Sequence, residues 1–562
     1  MYSINIPIID LRPLKLNTFL FISFGLLISA SSLCASAATV FTNATVWTGV
    51  EGKRDQSVVA IDKEKIIYVG SHIPKHLRDE KTIDLDGKFV MHGFTDNHVH
   101  FMEGGAALAS IDLRPVNSPK EFTQLMASYA ETLPPHQWIL NGNWDHQKWG
   151  GMLPNKSWID PVTSNNPVYV IRIDGHQALV NSLALELAGI DRNTPNPKGG
   201  IIVRDEHGEP TGLLKGNALN LILDIIPSPS ENELMKQFAM AQDLALSLGI
   251  SKVHAVTAYP SETTMLDIFK LAEKRGIMTI RAFVSTPIES WEMAAANIEK
   301  HGRGNDLLSY GGVKGFIDGS LGARTAWFHD EYSDEPGYYG LPLNDPEQFA
   351  TWMTKANEAG LELSIHALGD KGIDFVLNKM EELGKGEVRK KRFRIEHFQH
   401  PTRVAIKKLA ELGVIASMQP YHAIDDGQWA EERIGPERLP TAYAFKSILE
   451  QGGLLTFGSD WPVAPLSPFE GIYAAVTRST LDNANPQGWI AEQKISVEQA
   501  LTAYTVTNSY ALNAEQKRGT LEKGKFADFV VLSHDPRAVP ASQIRNIKVL
   551  KHYINGELVY KH

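Results

Sequence analysis

Short runs rich in Val, Ile and Phe recur through the middle of the chain, separated by longer stretches whose apolar residues return with helical spacing. This alternation predicts repeated βα units feeding one parallel sheet. The runs are 93–99, 251–256, 279–284, 313–317, 361–365, 393–395, 414–418 and 454–457, with helical stretches such as 231–248 and 346–359 between them. Eight units favour an α/β fold closed as a (β/α)8 TIM barrel over an open, doubly wound sheet. No internal repeat is visible.

The flanks follow a different period. Residues 39–47, 58–61 and 65–69 alternate in short β-type bursts between polar turns, and 524–532 and 547–560 are again strand and hairpin material. A small β-sandwich built from both chain ends, 38–92 with 515–562, is expected. The gap from 114 to 215 is too long for one βα connection. It has its own turn signals (Pro134-Pro135, Asn141-Gly142, Pro195-Asn196-Pro197) and candidate strands at 168–173 and 200–203. It reads as an insert, 115–214, over the barrel mouth, which leaves 93–114 and 215–514 for the barrel.

The first segment carries an address. Arg12 and Lys15 precede the apolar run 18–28, which is followed by small residues and Ala35-Ser36-Ala37. A run this short falls below the ~20 residues of a membrane span, so residues 1–37 read as a cleaved signal peptide. The expectation is a secreted or periplasmic protein with no stable membrane anchor. Cys34, the one cysteine, lies in that segment, so a metal in the mature chain must rest on His, carboxylate or modified Lys. With 55 Lys+Arg against 65 Asp+Glu the net charge is −10, which disfavours nucleic acid as a partner. A small-molecule substrate is the expected partner, with homodimerisation an open alternative.

Candidate chemistry sits where the predicted strands end. The first closes with His98-Val99-His100, and residues two apart on a strand share a face, so both imidazoles reach one ion. The fourth contains Lys314, an unusual charge to bury, which Asp318 would neutralise if its role were only structural. The fifth ends in His366, the sixth in His397 and the eighth in Asp460. In a barrel of this kind the carboxyl ends of the strands carry the active site, so all six side chains converge on one mouth. Imidazole and carboxylate at this density bind divalent cations, and the lack of thiols points to a catalytic site with open positions. Zinc is the first expectation, with manganese or iron as alternatives.

The order His-x-His, Lys, His, His, Asp on successive strands resembles the amidohydrolase superfamily. The stretches 93–100, 175–182, 318–326, 365–370, 395–397 and 458–463 are similar to its YtcJ-like, N-substituted formamide deformylase-like branch. The resemblance implies a binuclear centre, with one metal on His98, His100 and Asp460 and the other on His366 and His397. It further implies that Lys314 bridges the two as a CO2-derived carbamate.

A cation in such a site delivers hydroxide near neutral pH, with Asp460 as the proton shuttle in cleavage of an amide C–N bond. The substrate would be an N-substituted formamide, an N-acyl amine or a cyclic amide. His176 on the insert and His422 after the seventh strand are candidate hydrogen-bond donors to substrate. Arg324 would orient an anionic or carbonyl group or form a structural salt bridge, and Trp461 would rim an apolar pocket. Hydrolysis of an ester, lactone or phosphotriester is the alternative on the same residues. A non-catalytic periplasmic metal- or ligand-binding protein is the alternative outside enzymes.

Overall fold

The computed structural model describes residues 38–172, 177–257 and 264–562. Its centre is a parallel sheet of eight strands in sequence order. They are β1 (Phe94–Val99), β2 (Ile250–Ala255), β3 (Arg281–Pro287), β4 (Leu308–Phe316), β5 (Glu362–Ala367), β6 (Arg394–His397), β7 (Ile415–Met418) and β8 (Leu454–Phe457). Each neighbouring pair from β1 to β8 is parallel. The expected (β/α)8 barrel is present, with all eight runs in place. β4 starts well before residue 313, because Ser309-Tyr310-Gly311-Gly312 is strand without being an apolar run.

The β8–β1 seam is held by side chains. The Asn508 amide donates to the carbonyls of Thr95 (2.6 Å) and Phe457 (2.8 Å), and Asn97 donates to Thr456 Oγ1 across the same line (2.8 Å). At the rim, Asp96 accepts from the amides of His98 (3.1 Å) and Ser459 (3.0 Å), and the Asp460 amide donates to the His98 carbonyl (2.8 Å). Two far ends of the chain are thereby fixed next to each other at the C-terminal rim.

The barrel interior is polar beneath this rim. Residues two apart share a face, so Glu362, Ser364 and His366 step up β5, and Arg394 and Glu396 stand beside them on β6. Arg394 is almost fully buried and donates to Ser364 Oγ (2.8 Å) and Asn97 Oδ1 (2.9 Å), with His254 Nε2 at 3.2 Å. A guanidinium taken out of water needs such partners, since an unpaired buried charge costs several kcal/mol.

Both chain ends build the sandwich. A four-stranded sheet (strands 65–70, 58–62, 39–42, 81–84) faces a five-stranded one in which 89–92 pairs antiparallel with 529–532. Phe41, Val59 and Ile61 of the first sheet pack with Val90, Phe529 and Tyr553 of the second in one apolar core. Six strands lying between residues 111 and 216 form a mixed sheet that leaves the barrel after α1 (Phe101–Leu108), the helix directly following β1. The expected turn at Asn141-Gly142 is corrected: both residues lie inside the strand Ile139–Trp144, with φ of 68° and 94°. The positive φ values mark an irregular strand, whose register against 168–172 slips just beyond them.

Candidate active site

Asp460 stands at the centre of the rim cluster. Its Oδ1 lies 3.3 Å from His98 Nε2 and 3.2 Å from His100 Nε2, and its Oδ2 lies 3.1 Å from His422 Nε2. The His397 ring centroid is 4.8 Å from that of His98 and 4.5 Å from that of His366. Lys314 Nζ is 3.2 Å from His98 Nε2. The structure therefore brings His98, His100, Lys314, His366, His397, His422 and Asp460 together at the C-terminal ends of β1, β4, β5, β6 and β8 and just past β7.

Backbone geometry aims two of these groups. His397 has φ of 74° and Asp460 φ of 63°, left-handed values that cost a non-glycine residue on the order of 1–3 kcal/mol. His397 ends β6 and Asp460 lies three residues past the end of β8, each at the point where the chain must turn its side chain toward the mouth. The strain is held by the rigid sheet below and by the Asp460 amide's bond to His98.

The electrostatics favour neutral imidazoles around an ionised carboxylate. Burial, reinforced by Lys314, lowers His98 well below the ordinary range, and burial with the same lysine brings His366 down to about 3. His397 is lowered by burial and by His366. Burial alone would raise Asp460, but the close approach of His100 and His422 holds its carboxyl well below the usual range. His422 goes the other way: burial is outweighed by Asp460, and its pKa is raised. Lys314 is brought down to about 8 by burial.

These residues fit a divalent cation on geometric grounds. Asp460 Oδ1 has two imidazole nitrogens within 3.3 Å and yet no hydrogen-bond partner, as three lone pairs directed at one point would require. The ligand atoms of His98, His100 and Asp460 all lie within 4.8 Å of one another, as do those of His397, His422 and Asp460. His366 Nδ1 is buried without a partner, while its Nε2 faces the Gly319 carbonyl at 3.1 Å. A proton on Nε2 would leave Nδ1 as the donor atom.

The other sequence candidates are placed as follows. Arg324 pairs with Asp334 (2.7 Å) and Glu335 (3.4 Å). The Trp461 ring is buried against Gly104 of α1, where an added Cβ would come within 2.0 Å of it. His176 lies outside the described residues. Asp318 does not pair with Lys314; its carboxylate accepts from the amides of Trp327 (2.9 Å), Leu368 (3.0 Å) and Gly369 (2.9 Å), tying the loop after β4 to the loop after β5.

Sequence reasoning missed Glu396. Its Oε2 is 2.6 Å from His98 Nδ1, and both side chains are fully buried. A carboxylate in that place fixes the imidazole's tautomer and orientation, leaving Nε2 free to ligate. The signal was period two on β6: Arg394 and Glu396 share the inner face, whereas His397 reaches the site only through its left-handed backbone.

The amidohydrolase family model matches residues 81–560. Protein LONG AFTER FAR-RED 3 of Arabidopsis thaliana is 36% identical over 537 residues, covering 93% of this chain and 92% of that protein. N-substituted formamide deformylase of Arthrobacter pascens is 27% identical over 512 residues, covering 86% and 90%. Among solved structures, an uncharacterized metal-dependent hydrolase from Pyrococcus horikoshii OT3 superposes with a TM-score of 0.75 at 28% identity, covering 90% of this chain and 99% of that one.

Proposed function

The chain belongs to the amidohydrolase family, and from that premise we propose that it is a metal-dependent hydrolase that cleaves the C–N bond of a non-peptide amide. N-substituted formamides, N-acyl amines and cyclic amides are the substrate classes. The likeness to a formamide deformylase supports the first of these. The observation that carries the reading is the orphaned Asp460 Oδ1 between two imidazole nitrogens.

His98, His100 and Asp460 would hold one cation. His397 and His366 would hold a second, with Lys314 joining the two as a carbamate; His422 is an alternative ligand beside His397. A divalent ion, zinc by first expectation, supplies Lewis-acid polarisation and brings water's acidity near neutral. A carbamate needs the amine unprotonated, and burial of Lys314 moves it toward that state. Asp460, kept ionised, takes the proton of the attacking water on its carboxylate and passes it to the leaving nitrogen. His422 donates from Nε2 to Asp460 Oδ2 and holds that oxygen in place. The side chains of His100, His366 and His422 are no more than 16% exposed. Bulk water is largely kept from the reacting atoms.

We extend the proposal to the remaining parts of the chain. Residues 1–37, outside the described residues, serve as an export signal, so the enzyme acts in the periplasm or outside the cell. Among the described residues no helix is long and apolar enough to cross a membrane. The insert, 115–214, shapes substrate access.

The test is metal analysis of the purified protein followed by a panel of formamides, N-acyl amines, cyclic amides, esters, lactones and phosphotriesters. The expected outcome is bound divalent metal, and amide turnover that is lost with a chelator and restored by the metal. Turnover confined to esters, lactones or phosphotriesters would move the bond assignment. Metal binding without turnover on any member would replace the enzyme with a binding protein.

A further inference from the structure

The end of the barrel opposite the histidine cluster contains a cavity of about 160 Å3 between the strand starts and the segment 512–526. Four cationic side chains line it, Lys252, Arg303, Lys517 and Arg518, against two carboxylates, Asp306 and Glu362. Both carboxylates are already engaged. Asp306 pairs with Lys517 at 2.6 Å, and Glu362 accepts from Asn513 at 3.0 Å and lies 3.7 Å from Arg303. That leaves Lys252 without a carboxylate and Arg518 with only Asp528, which it shares with Arg281.

Both are buried, with 6% and 3% of their surface exposed. Nε, Nη1 and Nη2 of Arg518 all lack a hydrogen-bond acceptor, although Nη1 sits 2.9 Å from Asp528 Oδ2. Asp528 can serve only Nη1: its Oδ1 already accepts from Arg281 (3.2 Å) and the Asn555 amide (2.9 Å), and its Oδ2, which lies beside Nη1, also accepts from Arg281 (2.8 Å). Lys252, near the start of β2, forms no ion pair among the described residues. Burying a guanidinium with three unsatisfied nitrogens beside an unpaired ammonium is costly, and a small anion accepting from both would remove the cost.

We propose that this cavity is a binding site for a small oxyanion, held by Lys252 and Arg518 at the base of the barrel. A phosphate-sized tetrahedral anion presents acceptors enough for the Arg518 fork and the Lys252 ammonium together. Bound there it would bridge β2 to the segment carrying Arg518, tying the C-terminal sheet to the barrel. Lys252 is consistent with such a vacancy in charge: burial, then Arg518 and Arg281, bring it down to about 7, while Glu362 and Asp306 only partly restore it.

The experiment is titration calorimetry of the full chain with inorganic phosphate, sulfate and acetate, at constant ionic strength set by chloride. The expected result is one saturable site per chain, with Kd raised at least tenfold by Lys252→Met. Glu362→Gln, which removes a competing negative charge, is expected to tighten binding about threefold or more. The anion bound most tightly separates a tetrahedral from a carboxylate ligand. No saturable binding of any of the three overturns the proposal. So does an affinity that Lys252→Met leaves unchanged, since that anion would be sitting elsewhere, including at the rim. If Lys252→Met does not fold, Glu362→Gln decides alone: equal or weaker binding overturns the site.

Discussion

The two ends of this barrel contain similar side chains and treat them in opposite ways. At the C-terminal rim, buried imidazoles and Asp460 are left short of hydrogen bonds, with His397 and Asp460 on left-handed backbone. At the base, Asp528 is saturated: Arg281 grips both of its oxygens, the Asn555 amide adds another bond, and Arg518 lies alongside. The rim keeps lone pairs uncommitted, as ligand binding and proton transfer require, while at the base Asp528 is committed and joins β3 to the C-terminal sheet, and the groups left over there are the cations Lys252 and Arg518. The rim leaves acceptors for a cation, and the Asp528 cluster ties the chain together.

The largest effect that tests this division is at Asp460. Asp460→Asn removes the charge and the shuttle while preserving shape, and kcat/KM is expected to fall about 10^3- to 10^4-fold. Metal content by elemental analysis should persist, and the unfolding midpoint should stay the same or rise, because a strained and unsatisfied group has been relieved. A variant retaining most of its activity removes Asp460 from the mechanism.

Asp528→Asn is the mirror experiment. Removing one member of a buried ion pair is expected to cost about 3–5 kcal/mol of stability, read from urea unfolding, with metal content and turnover of the folded protein unchanged. The pH dependence has a defined sign. Burial would raise the Asp528 carboxyl, but Arg518 and Arg281 outweigh it and hold its pKa far below the ordinary value. A depressed folded pKa means the stabilisation is fully present above the unfolded value of about 3.9 and is lost as pH falls through the folded one. The gap between wild type and Asp528→Asn is therefore expected to be constant from pH 7 to about 5 and to close at lower pH. A gap that widened on acidification would break the assignment.

The two regions were not equally legible in the sequence. Rim residues follow apolar runs, so the order of the strands and the rule that chemistry sits at their carboxyl ends pointed to His98, His100, Lys314, His366, His397 and Asp460, which the structure brings to one place. The motifs around them led to the same family as the comparison of the whole chain. Local pattern says nothing about partners hundreds of residues apart. Asp528 lies between two short apolar stretches, and neither Arg281 nor Arg518 has a local sign of meeting it. Glu396 was hidden for a related reason: beside His397 it reads as one more polar residue at a strand end. Only the register of β6 against β5, with Glu396 opposite His366, shows that it faces inward. The Asn141-Gly142 pair misled because its positive φ serves a bulge as well as a hairpin.

Glu396 lies where the two regimes meet, and it gives the smallest and most discriminating effect. Its carboxylate orients His98 from behind at 2.6 Å, and its other oxygen lies 3.3 Å from Arg394 Nε. Arg394 leads on through Asn97, Ser364 and His254 into the polar interior. Glu396→Gln keeps an acceptor for His98 Nδ1–H but removes the negative charge that raises the imidazole's basicity. Metal affinity, measured by competition with a chelator, is expected to fall about tenfold, the lower end for loss of such a partner. If Glu396 belonged to the base's regime of saturated pairs, the same change would strand Arg394 beside a neutral group and appear chiefly as lost stability, with metal affinity intact. A tenfold loss of affinity with little change in the unfolding midpoint places the boundary between the two regimes below Glu396, at Arg394.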